Sequence, residues 1–393
     1  MKCEWETIAF GDLLEEPVRN GLTKPKAIRG TGVKMIAMGE IFAYSRIADV
    51  VTDRVPVTEK ELQNCSIKPL DILFARQSLT LEGAGKCSII TNVLEDTVFE
   101  SHLIRTRVNQ RKADPFFLYY YFNSPHGKEN IKSIVEQVAA AGIRGSDLVK
   151  LSVSYPCLEK QRKISAILRS LDDKIELNNK INKNLQQQAF ALFNKLMVGS
   201  GNAEWQTSDI AYLNPKRPLS KNQVARCIDM SQLSTTGAFP SGWEMKPFTG
   251  GMRFANGDTL LARITPCLEN GKTAFIDFLN ENEVAFGSTE YIVLAPKDGI
   301  PAEFLYCLAR YPAFVEYAVK NMNGSSGRQR VSAETIGQFV LPEVSKSDLS
   351  VFGTSVTPMF RKMRCNSFEN LRLAAIRDAL LPKLMNGEIE IDQ

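Results

Sequence analysis

The chain has 393 residues, of which 44% are apolar and 23% charged, with a formal net charge of +4. That balance is the globular average and excludes a disordered chain. The longest apolar and aromatic run, Phe116–Phe122, falls far short of the roughly 18 residues a spanning helix needs. Eight cysteines without a CxxC pair, and only two histidines, His102 and His126, exclude zinc-finger spacing and leave little for histidine catalysis. Reduced, packed thiols in a soluble cytoplasmic protein are expected.

In chain order, the opening MKCEWETIAF lacks the apolar stretch of a signal peptide. Residues 1–156 then read as a mixed lobe of short strands, such as Asp71–Arg76 and Ser88–Thr91, broken by Gly, Pro and Asn turns. The aromatic segment Pro115–Asn123 has helical spacing with proline at its start, and its rings are expected in the core. A long helix is expected over Leu158–Met197 within residues 157–202, closed by the linker Gly199-Ser-Gly-Asn202. Its stripe of Ile164, Leu168, Leu171, Ile175, Asn178, Asn182, Leu185, Ala189, Leu192 and Leu196 alternates steps of four and three, the pattern of a coiled-coil seam. Asn178 and Asn182 are expected to make that seam partly solvated; the alternative is that they fix its register. A second mixed lobe follows over 203–342, with a helix near Pro301–Arg310. A second long helix, roughly Val356–Met385 within 343–393, carries Phe360, Met363, Leu371 and Ala375 and is expected to kink at Pro382.

The chain is written twice. Asp71-Ile-Leu-Phe-Ala-Arg76 recurs as Asp258-Thr-Leu-Leu-Ala-Arg263, and Leu81-Glu82 with Gly85-Lys86 recurs as Leu268-Glu269 with Gly271-Lys272. Phe117-Leu-Tyr with Pro125 returns as Phe304-Leu-Tyr with Pro312, and Leu192–Met197 as Leu380–Met385. The order and the offset hold from Asp71 to Met197, and Trp5 finds a counterpart in Trp205. The fold class is therefore α+β with an internal duplication: two mixed lobes and two long antiparallel helices.

The motifs of several enzyme classes fail. Gly85-Lys86 precedes Cys87, and Gly271-Lys272-Thr273 has Pro266 where a Walker loop begins with glycine. No Asn/Asp-Pro-Pro-Tyr segment, Gly-x-Ser-x-Gly elbow or duplicated histidine appears. What repeats are residues that suit polar loops. Arg76, Gln77 and Ser78 close one strand; Arg263 and Thr265 close its counterpart; Lys86 and Lys272 follow each. A second pair of segments, Ala141–Asp147 with Arg144 and Gly324–Ser332 with Ser326, Arg328, Gln329 and Arg330, precedes each long helix. Arginine and glutamine grip guanine and adenine edges with two bonds, and lysine reaches phosphates. Alternatives stay open: buried ion pairs of Arg76 and Arg263 with Asp71 or Asp258, and solvated turn lysines at 86 and 272. Charge tempers a DNA reading. Residues 158–197 hold eight basic against four acidic residues, and 346–387 seven against three, so the remainder is slightly acidic.

These features resemble the specificity subunit of type I restriction–modification systems. The resemblance spans the chain and rests on the doubled strand and turn, on Phe117-Leu-Tyr-Tyr-Tyr-Phe-Asn-Ser-Pro125, on Ser154-Tyr-Pro-Cys-Leu-Glu-Lys-Gln-Arg-Lys-Ile164 and on Leu380-Leu-Pro-Lys-Leu-Met-Asn-Gly-Glu-Ile389. Pro342–Asp348 departs from the family's Pro…Glu-x-Gln-x-x-Ile pattern. The resemblance implies a non-catalytic subunit that selects an asymmetric bipartite site in double-stranded DNA, with its lobes related by a pseudo-twofold axis. Two methyltransferase subunits would dock on the helices and methylate adenine N6 from S-adenosylmethionine. A restriction and translocase subunit would use ATP and Mg, so the cofactors lie with the partners. The competing reading is a duplicated coiled-coil adaptor that never reads DNA. On the first reading the helices act as a ruler between half-sites. Deleting one heptad within Ile164–Leu196 should change the spacer and leave the half-site sequences alone; methylome sequencing that finds activity with an unchanged spacer refutes it.

Overall fold

The computed structural model describes residues 4–137, 141–198, 203–325 and 327–390. The linker Gly199–Asn202 and Ser326 lie outside the described residues. Two units emerge, residues 1–172 with 375–393, and residues 173–374. Each takes part of both long helices.

In the first unit, Ile72–Ala75 is an unbroken apolar run buried on both faces, as a central strand requires. It lies between Leu103–Thr106 and Cys87–Ile90, antiparallel to both, in a five-stranded sheet that adds Arg19–Asn20 and Arg46–Ile47 at its edges. Against it packs the helix Pro115–Asn123. Asp114 accepts a hydrogen bond from Phe117 N at 2.8 Å, and Pro115 needs no donor in the first turn. Residues 115–122 are all buried, as a helix apolar on every side must be. The second unit repeats the plan with Thr259–Ala262 between Tyr291–Pro296 and Thr273–Phe275, and with the helix Ala302–Ala309. Trp5 and Trp205 each pack on their own unit's core. Gly387 at φ +71° lets the chain meet Trp5; a Cβ there would stand 2.7 Å from the indole nitrogen. The duplicated α+β plan is thus borne out.

Both long helices are 40 residues, Leu158–Met197 and Lys346–Met385, about 60 Å each. The second starts ten residues before the expected Val356. Ser345 accepts from Asp348 N at 3.1 Å and donates to its carboxylate, and Leu349, Phe352 and Val356 then bury one face. Its helical run continues through Pro382 to Met385. In the first unit Ile164 and Leu168 join Leu381, Leu384 and Met385 in the core. In the second, Ala189, Phe193 and Met197 join Leu349, Phe352, Phe360 and Met363.

The seam differs from the heptad reading. Leu192 is exposed, and Leu171, Ile175, Leu185, Leu196 and Leu371 are only half-buried, whereas Asp172, Gln186, Phe193 and Met197 are buried. The inward-facing line from Ile164 runs through 168, 172, 175, 178, 182, 186, 189, 193 and 197, buried except at the half-buried 175 and 182, with steps of four outnumbering steps of three. An α-helix drifts about 20° per heptad from a strict 3.5 period, and the stripe follows that drift. The two asparagines divide: Asn182 is half-buried, in keeping with a partly solvated seam, whereas Asn178 is not. Asn178 is fully buried and donates to Glu369 Oε2 at 2.8 Å and Asn370 Oδ1 at 2.9 Å. Asn182 donates to Ser367 Oγ and accepts from Asn366. This polar layer fixes the antiparallel register of the helix segments in the second unit.

Cys65, Cys87, Cys227, Cys267, Cys307 and Cys365 are free, while Cys157 is disulfide-bonded, against the expectation of reduced thiols throughout. Among the described residues no helix is long and apolar enough to cross a membrane.

Phe193→Ala should cost about 3–5 kcal/mol in denaturant unfolding and Leu192→Ala under about 1 kcal/mol. Equal losses would restore the heptad seam.

Candidate nucleic-acid interface

Each unit extends its central strand into a small exposed ribbon. Beyond Ile72–Ala75 the chain runs through Arg76 into the strand Gln77–Ser78, which pairs antiparallel with Ala141–Gly142, itself paired with Glu136–Gln137. Ile143 N donates to Arg76 O at 2.9 Å. In the second unit Val331 N donates to Arg263 O at 3.0 Å, and Thr265 N to Gln329 O at 3.1 Å. Isolated bridges join Ile264 to Arg330 and Asn323 to Arg330. The two segments that the sequence offered separately in each copy are therefore one ribbon, built the same way twice. Gly324, at φ +126°, lies where a Cβ would meet Arg328 O at 3.1 Å.

The side chains on this ribbon have diverged. Arg76 is half-exposed, with Nη1 at 3.4 Å from Ser101 O, and its backbone N–H donates to His102 O. Gln77 Oε1 meets His102 Nδ1 at 2.9 Å. Ser78 Oγ accepts from Thr80 N. Arg144 is exposed and pairs with Glu136 at 2.6 Å. In the second unit Arg263 N donates to Glu290 O, and the Arg263 Nε is buried without a hydrogen-bond partner. Arg330 grips both oxygens of Glu290 at 2.8–3.0 Å, which holds the Glu290 carboxyl below the usual range and raises the guanidinium's own affinity for its proton. Thr265 Oγ1 accepts from Gln329 N, so Gln329 is tied by its backbone. Arg328 is exposed, its carbonyl accepting from Arg330 Nη1.

Lys86 Nζ donates to Phe42 O at 3.0 Å and lies 4.9 Å from the Phe42 ring, and Lys272 Nζ donates to Met230 O at 2.8 Å. The duplicated lysines each donate to a carbonyl of an equivalent helical turn and stay half-exposed; burial lowers the Lys86 pKa from its ordinary value. Arg76 and Arg263 do not pair with the duplicated aspartates. Asp71 holds Arg107 at 2.7 Å, and Asp258 holds Arg217. Each aspartate also accepts the N–H three residues before it, from Lys68 and Ala255. His102 and Glu290, which occupy the same place beside the ribbon, escaped the sequence reading; the repeated Phe99-x-Ser101 and Phe286-x-Ser288 that precede them were the available signal.

The family profile described as "Type I restriction modification DNA specificity domain" matches residues 2–187. The type I restriction enzyme HindI specificity subunit of Haemophilus influenzae is 25% identical over 82% of this chain and 87% of its own length. The MjaIX specificity subunit of Methanocaldococcus jannaschii is 22% identical over 94% and 90%. Over most of its length the chain is similar to type I specificity subunits. The S subunit structure from M. genitalium shares the fold, with a TM-score of 0.60 at 16% identity over 98% of this chain and 96% of that one.

The structure thus holds cations tied to backbone carbonyls beside an exposed Arg328. Lys86→Ala and Lys272→Ala should each destabilise by about 1 kcal/mol and leave the salt dependence of DNA binding unchanged. Arg328→Ala should lower the salt slope by about one or relax base choice at constant melting temperature. A lysine variant of normal stability with a reduced slope would return the lysines to the phosphates.

Proposed function

We propose that this chain selects an asymmetric, bipartite double-stranded DNA site on behalf of partner subunits. The observation that carries this reading is the doubled ribbon, which offers Arg76 and Gln77 on its first strand in one unit and Arg328 and Gln329 on its opposing segment in the other. Its geometry is constant and its side chains differ, as two unlike half-sites require. Arginine and glutamine on a β-ribbon suit base edges in a major groove, where each base pair presents a distinct pattern of donors and acceptors. An adaptor that met only proteins would have no use for two base-reading side chains on the same exposed ribbon in both copies.

The chain acts without a catalytic centre of its own. Methyltransferase subunits, two per chain, bind the long helices and methylate adenine N6 from S-adenosylmethionine. A restriction and translocase subunit cleaves unmodified DNA with ATP and Mg. The assembly works in the prokaryotic cytosol. The slightly acidic remainder of the chain makes affinity depend on local contacts and on the partners more than on net charge.

Arg328→Ala combined with Gln329→Ala should relax recognition in one half-site by about 1–3 kcal/mol per lost base contact and leave the other half-site intact, read from the methylated motif in cells carrying the variant. Equal loss in both halves assigns these residues to phosphate contact or structure.

A further inference from the structure

We propose that the tip of each ribbon ends in an apolar residue, Leu79 in the first unit and Pro266 in the second, and that this residue reads the C5-methyl group of a thymine in its half-site. The inference rests on the DNA-selecting function proposed above.

Leu79 is wholly exposed at 100% relative accessibility, and Leu81 beside it is also exposed. It follows Gln77 and Ser78 directly, and it is not on a loose loop. Ser78 Oγ accepts from Thr80 N at 3.1 Å, so the residue between them is gripped in a turn, and Thr80 Oγ1 accepts from Gly83 N at 3.2 Å. Gly83 packs beneath, where a Cβ would fall 2.1 Å from Ser78 Oγ. The structure thus holds a leucine in water on a fixed base.

The second unit does the same with a different residue. Pro266 occupies the corresponding place and is exposed. Thr265 before it is tied on both its N–H and its hydroxyl to Gln329, and Pro266 O accepts from Asn270 N at 2.9 Å. A proline ring has little conformational freedom to lose. Two diverged copies have kept an apolar tip on a rigid turn, next to polar readers, with different side chains.

One exposed leucine is unremarkable by itself. A single tip is also too small to serve as a protein interface, which needs about 1,000 Å². The apolar feature that a base edge offers in the major groove is the thymine methyl. Arg and Gln beside the tip read hydrogen-bonding edges, and the tip supplies the part of the code that they cannot read.

The test uses the complex made by co-expressing the full chain with its neighbouring reading frames, on a duplex bearing its methylated motif. Each thymine of the first half-site is replaced in turn by deoxyuridine, which removes only the methyl. One replacement should weaken wild-type binding about fourfold, the worth of one buried methyl group. Leu79→Ala should bind the intact site about as weakly and be indifferent to that replacement, while Leu79→Met keeps the sensitivity. Uracil scanning of the second half-site should be the same for wild type and Leu79→Ala. If no replacement matters, or Leu79→Ala loses as much as wild type from the same one, the tip does not read thymine. Unstacking at the tip, seen as 2-aminopurine fluorescence in wild type but not in Leu79→Ala, would make it a wedge and also overturn the proposal. Absence of any sequence-selective binding would remove the function itself, an outcome distinct from the others.

Discussion

The constraint on which the rest depends is the burial of the long helices' apolar faces. A 40-residue helix with an unpartnered stripe is marginal in water, because packing and not propensity supplies most helical stability. Each unit meets this need with both helices at once. Ile164 and Leu168 from the first helix share a core with Leu381, Leu384 and Met385 from the second, and Ala189, Phe193 and Met197 share one with Leu349, Phe352 and Phe360. The start of one helix and the end of the other therefore belong to the same lobe, and within each unit the helix segments must run antiparallel. The Asn178 and Asn182 network then selects the register, because sliding either segment would leave buried amides without partners.

Each lobe is coupled to its helix segments by different chemistry. Tyr120 donates to the buried Asp172 at 2.6 Å, and Arg377 of the second long helix holds the other oxygen of the same carboxylate at 2.7 Å. In the other unit Gln186 donates to Tyr306 at 3.0 Å. In the repeat Tyr306 matches Tyr119, and Tyr120 matches Cys307, so the two contacts use neighbouring positions of the aromatic helix, one with a charged and one with a neutral partner. The duplicated aspartates behave alike: Asp71 and Asp258 keep the same backbone N–H, yet their arginines come from different strands or loops. Duplication fixed the sites where polar groups are buried, and each copy then satisfied them independently. A buried carboxylate demands a partner, but many positions can supply one.

That pattern explains what was legible in the sequence. The repeat, the aromatic helix and the strand before each arginine were visible because their identities lie in cores and turns, where packing tolerates little change. The seam was legible only to within one residue. A heptad template places Leu192 inside, whereas the helix's own period places Phe193 there, and apolar residues at both positions let either template fit. The start of the second helix was obscured because Pro342–Asp348 lacks the first copy's motif, although Ser345 and Asp348 cap it well. The anchoring of the lysines was hidden for a different reason. Their acceptors are the carbonyls of Phe42 and Met230, more than forty residues away, and a backbone carbonyl leaves no trace in the residue type.

Those carbonyl acceptors also bear on how one scaffold can serve many targets. A lysine that binds a backbone oxygen does not depend on which side chain that residue carries, so Phe42 and Met230 differ while the anchor persists. The ribbon follows the same logic, since Ile143 to Arg76 and Val331 to Arg263 are backbone bonds. Positions that hold the ribbon are therefore insensitive to sequence, and positions on it are free to vary. Gln77 facing His102 in one copy and Arg330 clamped by Glu290 in the other are two outcomes at one location. In the second copy the clamp ties one arginine to Glu290 and leaves Arg328 exposed beside it, so an acidic neighbour decides which of the two cations is unpaired by a carboxylate. Replacing such a neighbour would re-aim a side chain while the backbone bonds that hold the ribbon stay in place.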